Sequence, residues 1–217
     1  MIIKDNYLMQ KVTLSSPTGD KYITPSKVVC VGRNYVEHIH ELNNEIPTQL
    51  VLFTKPNSAI SQQLKAKHSN DSVHYEVEIC FMYQQGQFMA AGVGIDLTKR
   101  ELQATLKQKG LPWERAKAFD GSVLFSDFVP LPNIADTEFE VVFEQQQDIL
   151  QRGVSSQMIT KPAAILQEIQ SFMTLEDGDI VMTGTPKGVG EVNAGGHYTA
   201  SLYIDGQRVV AQSWDAA

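Results

Sequence analysis

The stretch HYEVEICFMYQQGQFMAAGVGID, residues 74–96, contains two runs of strand-forming residues, 75–83 and 89–95. The polar segment between them, residues 84–88 (QQGQF), suits a hairpin loop. Similar runs recur along the chain at residues 27–31, 50–53, 139–143, 180–183 and 198–204, and Asp205-Gly206 predicts a second hairpin. The sequence therefore predicts a mixed, mainly β fold in which strands outnumber helices.

Three segments predict short helices. Residues 98–101 (TKRE) match a capping box, in which Thr98 and Glu101 satisfy each other's free backbone donors, and this helix should end at Gly110. Residues 162–173 carry apolar side chains at a spacing of three to four, which is typical of a helix with one buried face. Residues 35–42 predict a shorter, polar helix.

Composition and charge restrict the class of protein. The chain has 217 residues, of which 42% are hydrophobic and 20% charged, so we expect a single globular domain over residues 1–217. The formal net charge is −7, and lysine and arginine are scattered, whereas a nucleic-acid surface needs a basic stripe. Nucleic acid is therefore not an expected partner.

The chain shows no signal for a membrane or for secretion. Residues 1–6 (MIIKDN) lack the long apolar stretch of a secretory signal, and no run reaches the roughly 18 apolar residues of a membrane helix. A cytoplasmic location is the resulting expectation. Cys30 and Cys80 both lie in apolar, strand-like runs, which favours buried free thiols over a disulfide.

Glu76 and Glu78 form the first candidate for chemistry. Successive side chains of a strand alternate between its faces, so these two carboxylates project the same way, about 7 Å apart at the Cα atoms, while Tyr75, Val77 and Ile79 face the core. Two carboxylates that lie close together repel each other, so a strand face can carry both only if that face is solvated or binds a cation. A solvated outer face of an antiparallel strand is the alternative interpretation.

Asp96 makes the cation the better interpretation. It ends the next strand, and a hairpin through Gly86 would return it to the neighbourhood of Glu76. Three oxygen ligands select hard cations, namely Mg²⁺, Mn²⁺ or Ca²⁺. His74 lies on the same strand face and would suit iron or zinc instead, but the three carboxylates alone make a sufficient hard site.

Several segments in this order resemble the fumarylacetoacetate hydrolase family, especially its small members that act on acylpyruvates and oxaloacetate. The resemblance covers most of the chain. Its landmarks are residues 29–35 (VCVGRNY), 74–78 (HYEVE), 96–103 (DLTKRELQ), 113–119 (WERAKAF) and 183–190 (TGTPKGVG). It implies a β-roll of mixed sheets with a few short helices, a homodimer, and Mg²⁺ or Mn²⁺ held by Glu76, Glu78 and Asp96.

The resemblance also implies a His-Glu pair that activates water, and residues 35–41 supply His38 and Glu41. Their i, i+3 spacing puts both on one side of a helical turn, where the carboxylate can orient the imidazole. A solvated helix face that happens to contain both residues is the alternative. His40 lies outside the matched position.

Four further residues match substrate-contacting or charge-stabilising positions of the family. The resemblance makes Arg100 and Gln103 substrate contacts, and their spacing from Asp96 puts all three on one side of the predicted helix. The planar donor fork of Arg100 suits a carboxylate or oxo group. Lys117 matches a lysine beside the metal that holds developing negative charge, and Thr185 matches a contact to a substrate carboxylate.

These assignments predict an enzyme that acts on a small 2-oxo acid. The leading hypothesis is hydrolysis of the carbon–carbon bond of an acylpyruvate through a metal-stabilised pyruvate enolate. Oxaloacetate decarboxylation and 2-oxo acid isomerisation at the same site are the alternatives, because they share the enolate. A non-catalytic protein that binds a metal or a metabolite is the hypothesis from another class.

Overall fold

The computed structural model describes residues 9–131, 134 and 137–217, so residues 1–6, which were considered as a secretory signal, lie outside the described residues. The strands are β1 (Val12–Leu14), β2 (Lys21–Ile23), β3 (Lys27–Gly32), β4 (Val51–Pro56), β5 (Lys67–His68), β6 (Asp71–Ser72), β7 (His74–Tyr75), β8 (Val77–Gln84), β9 (Gln87–Asp96), β10 (Val123–Phe125), β11 (Val129–Pro130), β12 (Phe139–Gln145), β13 (Asp148–Val154), β14 (Ile180–Met182), β15 (Gly190–Glu191), β16 (His197–Ile204) and β17 (Gln207–Asp215). The helices are α1 (Val36–Glu41), α2 (Arg100–Gln108), α3 (Glu114–Lys117) and α4 (Pro162–Phe172), with single 3₁₀ turns at Asn57–Ala59 and Ser155–Gln157.

The central sheet has the strand order β10-β9-β8-β14-β3-β4, and β11 also pairs with β9. Strands β14 and β3 run parallel, whereas the other neighbours in this order are antiparallel. The predicted hairpin between β8 and β9 is confirmed, with Gln85 and Gly86 at φ angles of 49° and 89° in its turn. At the opposite end of the hairpin, the Asp96 amide donates to the Glu76 carbonyl at 2.8 Å. The register of one hairpin therefore brings the two acidic residues together.

A second, antiparallel sheet with the order β13-β12-β16-β17 closes the core. The predicted Asp205-Gly206 hairpin is confirmed as the turn between β16 and β17. Phe81 of β8 meets Phe139 of β12 edge to face, with ring centroids 5.0 Å apart, and Phe143 stacks on Tyr198 of β16 at 5.5 Å. Because these rings are buried, the Phe81–Phe139 contact joins the two sheets, and the Phe143–Tyr198 stack extends the same core along the second sheet. The mainly β prediction is confirmed.

The capping box predicted at residues 98–101 is wrong. Helix α2 begins at Arg100, after Lys99, and its N-cap makes no side-chain hydrogen bond. Thr98 is extended and exchanges backbone hydrogen bonds with His74, while its Oγ1 accepts a hydrogen bond from Lys117 at 2.6 Å. The hydroxyl that would have capped the helix is therefore used by a neighbouring lysine. The predicted end of this helix is close to the observed one, since Gly110 lies two residues beyond Gln108 at a φ of 63°.

The remaining predicted elements form, but three strands differ in their bounds: β4 extends to Pro56, β9 begins at Gln87, and the run 75–83 is divided. Helices α1 and α4 form as expected, and Cys30 and Cys80 are buried free thiols. The run 75–83 is interrupted at Glu76, because β7 pairs with β15 whereas β8 starts at Val77 and pairs with β9. Within the described ranges, no helix has the length and apolar character needed to cross a membrane.

Candidate active site

The three predicted acidic residues converge. Glu76, Glu78 and Asp96 each offer a carboxylate oxygen within 4.8 Å of the other two, and all three residues are buried, with exposures of 6%, 1% and 0%. The expected alternation also holds, because Tyr75, Val77 and Ile79 are buried on the core side. His74 does not belong to the cluster. The solvated-face interpretation of the two glutamates is therefore wrong.

Lys117 is in direct contact with two of these carboxylates. Its Nζ donates to Glu76 Oε2 at 2.8 Å, to Asp96 Oδ2 at 2.7 Å and to Thr98 Oγ1 at 2.6 Å. The lysine is buried at the end of α3. The structure thus places Lys117 beside the predicted metal ligands, as the resemblance implies.

Lys55 is a second buried cation, which sequence reasoning missed. It lies on β4 with its Nζ 2.9 Å from Asp96 Oδ1, and it donates to the backbone carbonyls of Lys117 and Ser122. The predicted strand 50–53 ended three residues too early. Had the strand been extended, its alternation would have put Lys55 on the same face as Phe53, which lines the cleft beside the acidic cluster.

The electrostatics of the cluster differ from one carboxylate to the next. Burial would raise the pKa of Glu76, but the charges of Lys117 and Arg100 outweigh burial and hold that pKa well below its ordinary range. Burial, followed by the charges of Asp96 and Glu76, raises the pKa of Glu78 well above its ordinary range. Burial opposes the charge on Lys117, yet Asp96 and Glu76 raise its pKa. Glu78 is therefore the carboxylate whose charge the protein's own cations compensate least.

Arg100 and Gln103 lie on the first turns of α2 and face the carboxylates. Arg100 Nη2 donates to Glu76 Oε1, and Nη1 donates to Gln103 Oε1 at 2.9 Å. Gln103 is buried, which excludes a surface role for its side chain. The guanidinium and the amide form a connected set of donors beside the cluster, as the helical spacing predicts.

The loop that follows β14 is fixed to the same cluster. The Gly184 amide donates to Glu78 Oε2 at 2.6 Å, and a Cβ at Gly184 would lie only 2.8 Å from the Asn34 Cβ, so this close approach requires glycine. Next to it, Thr185 Oγ1 accepts a hydrogen bond from Gln151 Nε2 at 2.9 Å. Gln151 of β13 was also missed, and its Oε1 accepts from the Val77 amide at 2.9 Å. No local sequence signal identifies Gln151, because its contacts come from the other sheet.

His38 and Glu41 face the cluster from α1. His38 Nδ1 lies 3.0 Å from Glu41 Oε2, and Glu41 Oε1 accepts a hydrogen bond from the Gly188 amide at 3.0 Å. His38 is buried, whereas His40 on the same helix is exposed. When Nδ1 carries the proton, Nε2 presents its lone pair as a base. The helix is therefore not merely a solvated polar surface.

The predicted site residues other than Asp96 and Glu41 all line one cleft. Its walls include His38, Arg100, Gln103, Lys117 and Thr185 beside the two glutamates, and the side chains of Phe53 and Trp113 add an apolar part. Asp96 is buried and accepts a hydrogen bond from Lys117, whereas Glu41 is an exposed residue that pairs with His38. The structure thus brings together every residue that the sequence singled out.

The cluster has the donor chemistry of a divalent-cation site. Three buried carboxylates within reach of one another offer only oxygen ligands, which hard cations prefer. Burial and the charges of Asp96 and Glu76 raise the pKa of Glu78. A bound cation would relieve this repulsion between buried like charges. The contacts of Lys117 to Glu76 and Asp96 leave further lone pairs on each carboxylate. Glu76, Glu78 and Asp96 therefore fit a divalent metal.

Comparison with known proteins agrees with this geometry. The family described as Fumarylacetoacetate (FAA) hydrolase C-terminal matches residues 27–87 and 88–214. The chain is 37% identical over 197 residues to oxaloacetate tautomerase YcgM of Escherichia coli (strain K12), covering 82% of this chain and 88% of that protein. It is 35% identical over 192 residues to the mitochondrial oxaloacetate decarboxylase of Dictyostelium discoideum, covering 79% and 86%.

The fold comparison points in the same direction. Fumarylpyruvate hydrolase from Pseudomonas aeruginosa, whose crystal structure is a complex with Mn²⁺ and pyruvate, has a TM-score of 0.84 to this structure at 27% identity, and the match covers 99% of both chains. The predicted β-roll with a few short helices is therefore confirmed.

Proposed function

Given that the chain belongs to the fumarylacetoacetate hydrolase family, we propose that it is a divalent-cation-dependent enzyme that forms an enolate from a small 2-oxo acid. The observation that carries this proposal is the arrangement of one cleft. A basic histidine held by a carboxylate lies on one wall, and Lys117 with Arg100 lies beside three buried carboxylates on the other. A proton acceptor and fixed positive charge are the two requirements of enolate formation.

Glu76, Glu78 and Asp96 are the proposed ligands of Mg²⁺ or Mn²⁺, and Ca²⁺ also suits oxygen ligands. The bound cation would supply Lewis-acid polarisation of the 2-oxo group. The donors Arg100, Gln103 and Thr185 would hold the substrate carboxylate and so fix the position of the adjacent carbonyl.

Keto–enol interconversion of oxaloacetate is the first candidate reaction, supported by the names of the relatives. His38 Nε2 would accept a proton from the carbon next to the 2-oxo group, and the electrons of that C–H bond would form the C=C bond. Charge then develops on the 2-oxo oxygen, near the Lys117 ammonium and the Arg100 guanidinium. Glu41 would stabilise the imidazolium that results. The proton held by the His38 imidazolium would then return to the oxygen, directly or through water, which completes the enol and restores the base.

Hydrolysis of an acylpyruvate, which the sequence alone ranked first, is the second candidate. The observation in its favour is the His38–Glu41 pair, because the same base can take a proton from a water that attacks the distal carbonyl. The carbon–carbon bond then breaks, and the pyruvate enolate leaves toward Lys117 and is protonated on carbon. The Pseudomonas aeruginosa neighbour, a fumarylpyruvate hydrolase, supports this candidate. Oxaloacetate decarboxylation, the third candidate, differs from these two reactions because the loss of CO₂ needs no base to accept a proton.

Three parallel assays on the purified protein separate these reactions. After chelation, the protein is supplied with Mg²⁺ or Mn²⁺, and enol-oxaloacetate absorbance, pyruvate release from oxaloacetate and acetylpyruvate consumption are measured. The proposal predicts metal-dependent turnover in at least one assay. If neither substrate is converted with either metal, the enzyme proposal fails and a non-catalytic metal or metabolite binder becomes the better interpretation.

His38→Ala with His40→Ala as a matched control tests the base. Loss of a general base lowers kcat by about 10²- to 10⁴-fold, so tautomerase or hydrolase activity should fall by that factor in His38→Ala. The exposed His40 lies on the same helix and its replacement should leave the rate unchanged. Pyruvate release from oxaloacetate that survives in His38→Ala would instead indicate decarboxylation.

We also propose that the protein acts as a cytoplasmic homodimer. Support for the dimer comes from an apolar surface beside the edge strand β4, which also includes Leu111 and Phe172, exposed to 48% and 59%. Light scattering after gel filtration tests the dimer, and cell fractionation tests the location. The predicted partner remains a small 2-oxo acid. Neither nucleic acid nor a membrane is predicted as a partner.

A further inference from the structure

Among the described residues, three lysines lie at the candidate active site, and their amines differ in the contacts that they make. Lys55 and Lys117 are buried, and each Nζ contacts at least three oxygen atoms of other residues. Lys107 is only partly buried and lines the same cleft as His38. Within the described part of the chain, its Nζ makes no ion pair and no hydrogen bond, and it is not enclosed as the partnerless Nε of Arg100 is. Of the three amines, that of Lys107 is therefore the one that a molecule in the cleft can reach.

The position of the Lys107 amine is defined by the apolar part of the cleft. The residue lies on the last turn of α2, with its Nζ 5.0 Å from the centroid of the Trp113 ring. The face of this ring can receive an N–H group from the ammonium or from the neutral amine. Phe53 lines the cleft as well. A lysine beside apolar rings or beside another cation is in the surroundings in which its amine acts as a nucleophile.

The charged neighbours of Lys107 favour the neutral amine. Burial, followed by the charges of Arg33 and Arg100, lowers the pKa of Lys107 to about 8, with Glu76 opposing this shift and Lys117 adding to it. Both arginines line the same cleft. At neutral pH, a much larger fraction of Lys107 than of an exposed lysine therefore carries a free lone pair on nitrogen.

We propose that Lys107 is a site of covalent attachment, at which its amine condenses with the carbonyl group of a small anionic carbonyl compound to form an imine. The positive charge of Arg33 and Arg100 in the cleft favours a compound that also carries a carboxylate. The attachment is separate from enolate formation, because it requires neither a cation nor turnover.

The condensation needs one nucleophile and one group that exchanges protons. The Nζ lone pair of Lys107 attacks the carbonyl carbon, and one amine proton passes to the oxygen, which gives a carbinolamine. Its hydroxyl then accepts a proton and leaves as water, and the nitrogen releases its remaining proton, so that amine and carbonyl become imine and water. His38, which lines the same cleft, would supply the first of these two protons and accept the second.

Reductive trapping with pyruvate tests this site in the full chain supplied with Mg²⁺. Sodium cyanoborohydride donates a hydride to the imine carbon and leaves a stable N-(1-carboxyethyl)lysine, which peptide fragmentation in a mass spectrometer locates. The exposed Lys109 is the internal reference in the same sample. We expect labelling at Lys107 to exceed labelling at Lys109 by about tenfold or more at pH 7, because more of the Lys107 amine is neutral. A smaller ratio would overturn the proposal.

Two variants and a second ketone are the controls. Lys107→Arg keeps the positive charge but lacks the nucleophilic amine, so it should lose the main label, whereas Lys109→Arg should keep it. A main label that persists in Lys107→Arg would overturn the proposal. Acetone has no carboxylate and should give a lower ratio of labelling between the two lysines, and an equal ratio would overturn the preference for an anionic compound. None of these results depends on turnover, so failure of the proposed function is recognised separately, in the three activity assays.

Discussion

At the level of single residues, buried positive charge holds the acidic cluster in place. Lys55 is fully buried, lies against Asp96 and donates to the Lys117 and Ser122 carbonyls, so it fixes both an acid and the backbone that carries the neighbouring lysine. An ion pair of this kind adds little net stability, but removing one member leaves a buried charge and unpaired carbonyls. Lys55 is therefore a positioning residue for Lys117.

Lys55→Met should lower the free energy of unfolding by about 3 kcal/mol, the usual cost of breaking a buried pair. Lys27→Met is the matched control, because Lys27 also pairs with an aspartate, Asp179, but is 23% exposed. Asp179 in addition accepts hydrogen bonds from Ser26 and from backbone amides, so the control should lose no more than about 1 kcal/mol. Urea unfolding measures both values. Equal losses in the two variants would contradict the role assigned to Lys55.

Lys107 should reduce the stability of the protein at neutral pH. Burial and the charges of Arg33 and Arg100 lower its pKa to about 8, with Glu76 opposing and Lys117 adding to this effect. The unfolded chain titrates near its ordinary value of about 10.4. The charged form is therefore disfavoured on folding, so stability rises as the pH increases from about 8 to about 10.4.

Lys107→Met should consequently be more stable than the wild type at pH 7, by about 1 kcal/mol after allowance for solvent screening of a partly exposed group. The difference in Tm between the two proteins should narrow between about pH 8 and about pH 10 and be absent above the unfolded pKa. Thermal unfolding at several pH values measures it. A variant less stable than the wild type at pH 7 would show that the cation is compensated in the folded protein.

At the level of secondary-structure elements, α1 and the loop after β14 act as one unit. Glu41 accepts from the Gly188 amide while it holds His38, and Glu37 on the same helix pairs with Lys187 at 3.1 Å on the surface. The contact of Glu41 with the buried His38 orients a base, whereas the pair of Glu37 with Lys187 joins two exposed side chains and is screened by solvent. The two glutamates of one helix therefore have different tasks.

Glu41→Gln keeps an oxygen for Gly188 but removes the charge that stabilises a protonated His38. We expect kcat to fall by about 10- to 100-fold with little change in KM, because the loss concerns proton transfer and not binding. Glu37→Gln should leave both constants unchanged. Steady-state kinetics of the two variants provide the comparison, and an equal effect of both substitutions would assign the role to the helix as a whole.

At the level of the whole molecule, the acidic cluster joins β7, β8 and β9, so a bound cation should stabilise the fold itself. A ligand present at 100 times its Kd stabilises the native state by about 2.7 kcal/mol, which corresponds to roughly 5–10 °C in Tm for a chain of this size. We expect Mn²⁺ or Mg²⁺ to raise the Tm and a chelator to reverse the rise. Glu78→Gln should lose the response, whereas Glu140→Gln, at an ion pair with the exposed Arg152, should keep it.

The sequence predicted those parts of the fold that depend on local patterns. Alternation placed Glu76 and Glu78 on one side, and the Gly86 hairpin was sufficient to bring Asp96 to them. Lys55 was missed because the predicted strand stopped at residue 53, whereas Gln151 could not be predicted, because its contacts come from the other sheet. The capping box failed for the same reason, since Thr98 bonds to Lys117 nineteen positions away in the chain.

The turn at Gln85–Gly86 lies at the far end of the hairpin whose other end carries the acidic cluster. Strand β8 has 8 residues, so the turn is about 25 Å from the site along the strand. Both turn residues are exposed, and nothing lies within 4 Å of a Cβ built at Gly86. This turn is therefore a place to insert a circularly permuted fluorescent protein. If ligand binding changes the hairpin, the fluorescence of the inserted protein would change, and the fusion would act as a ligand sensor.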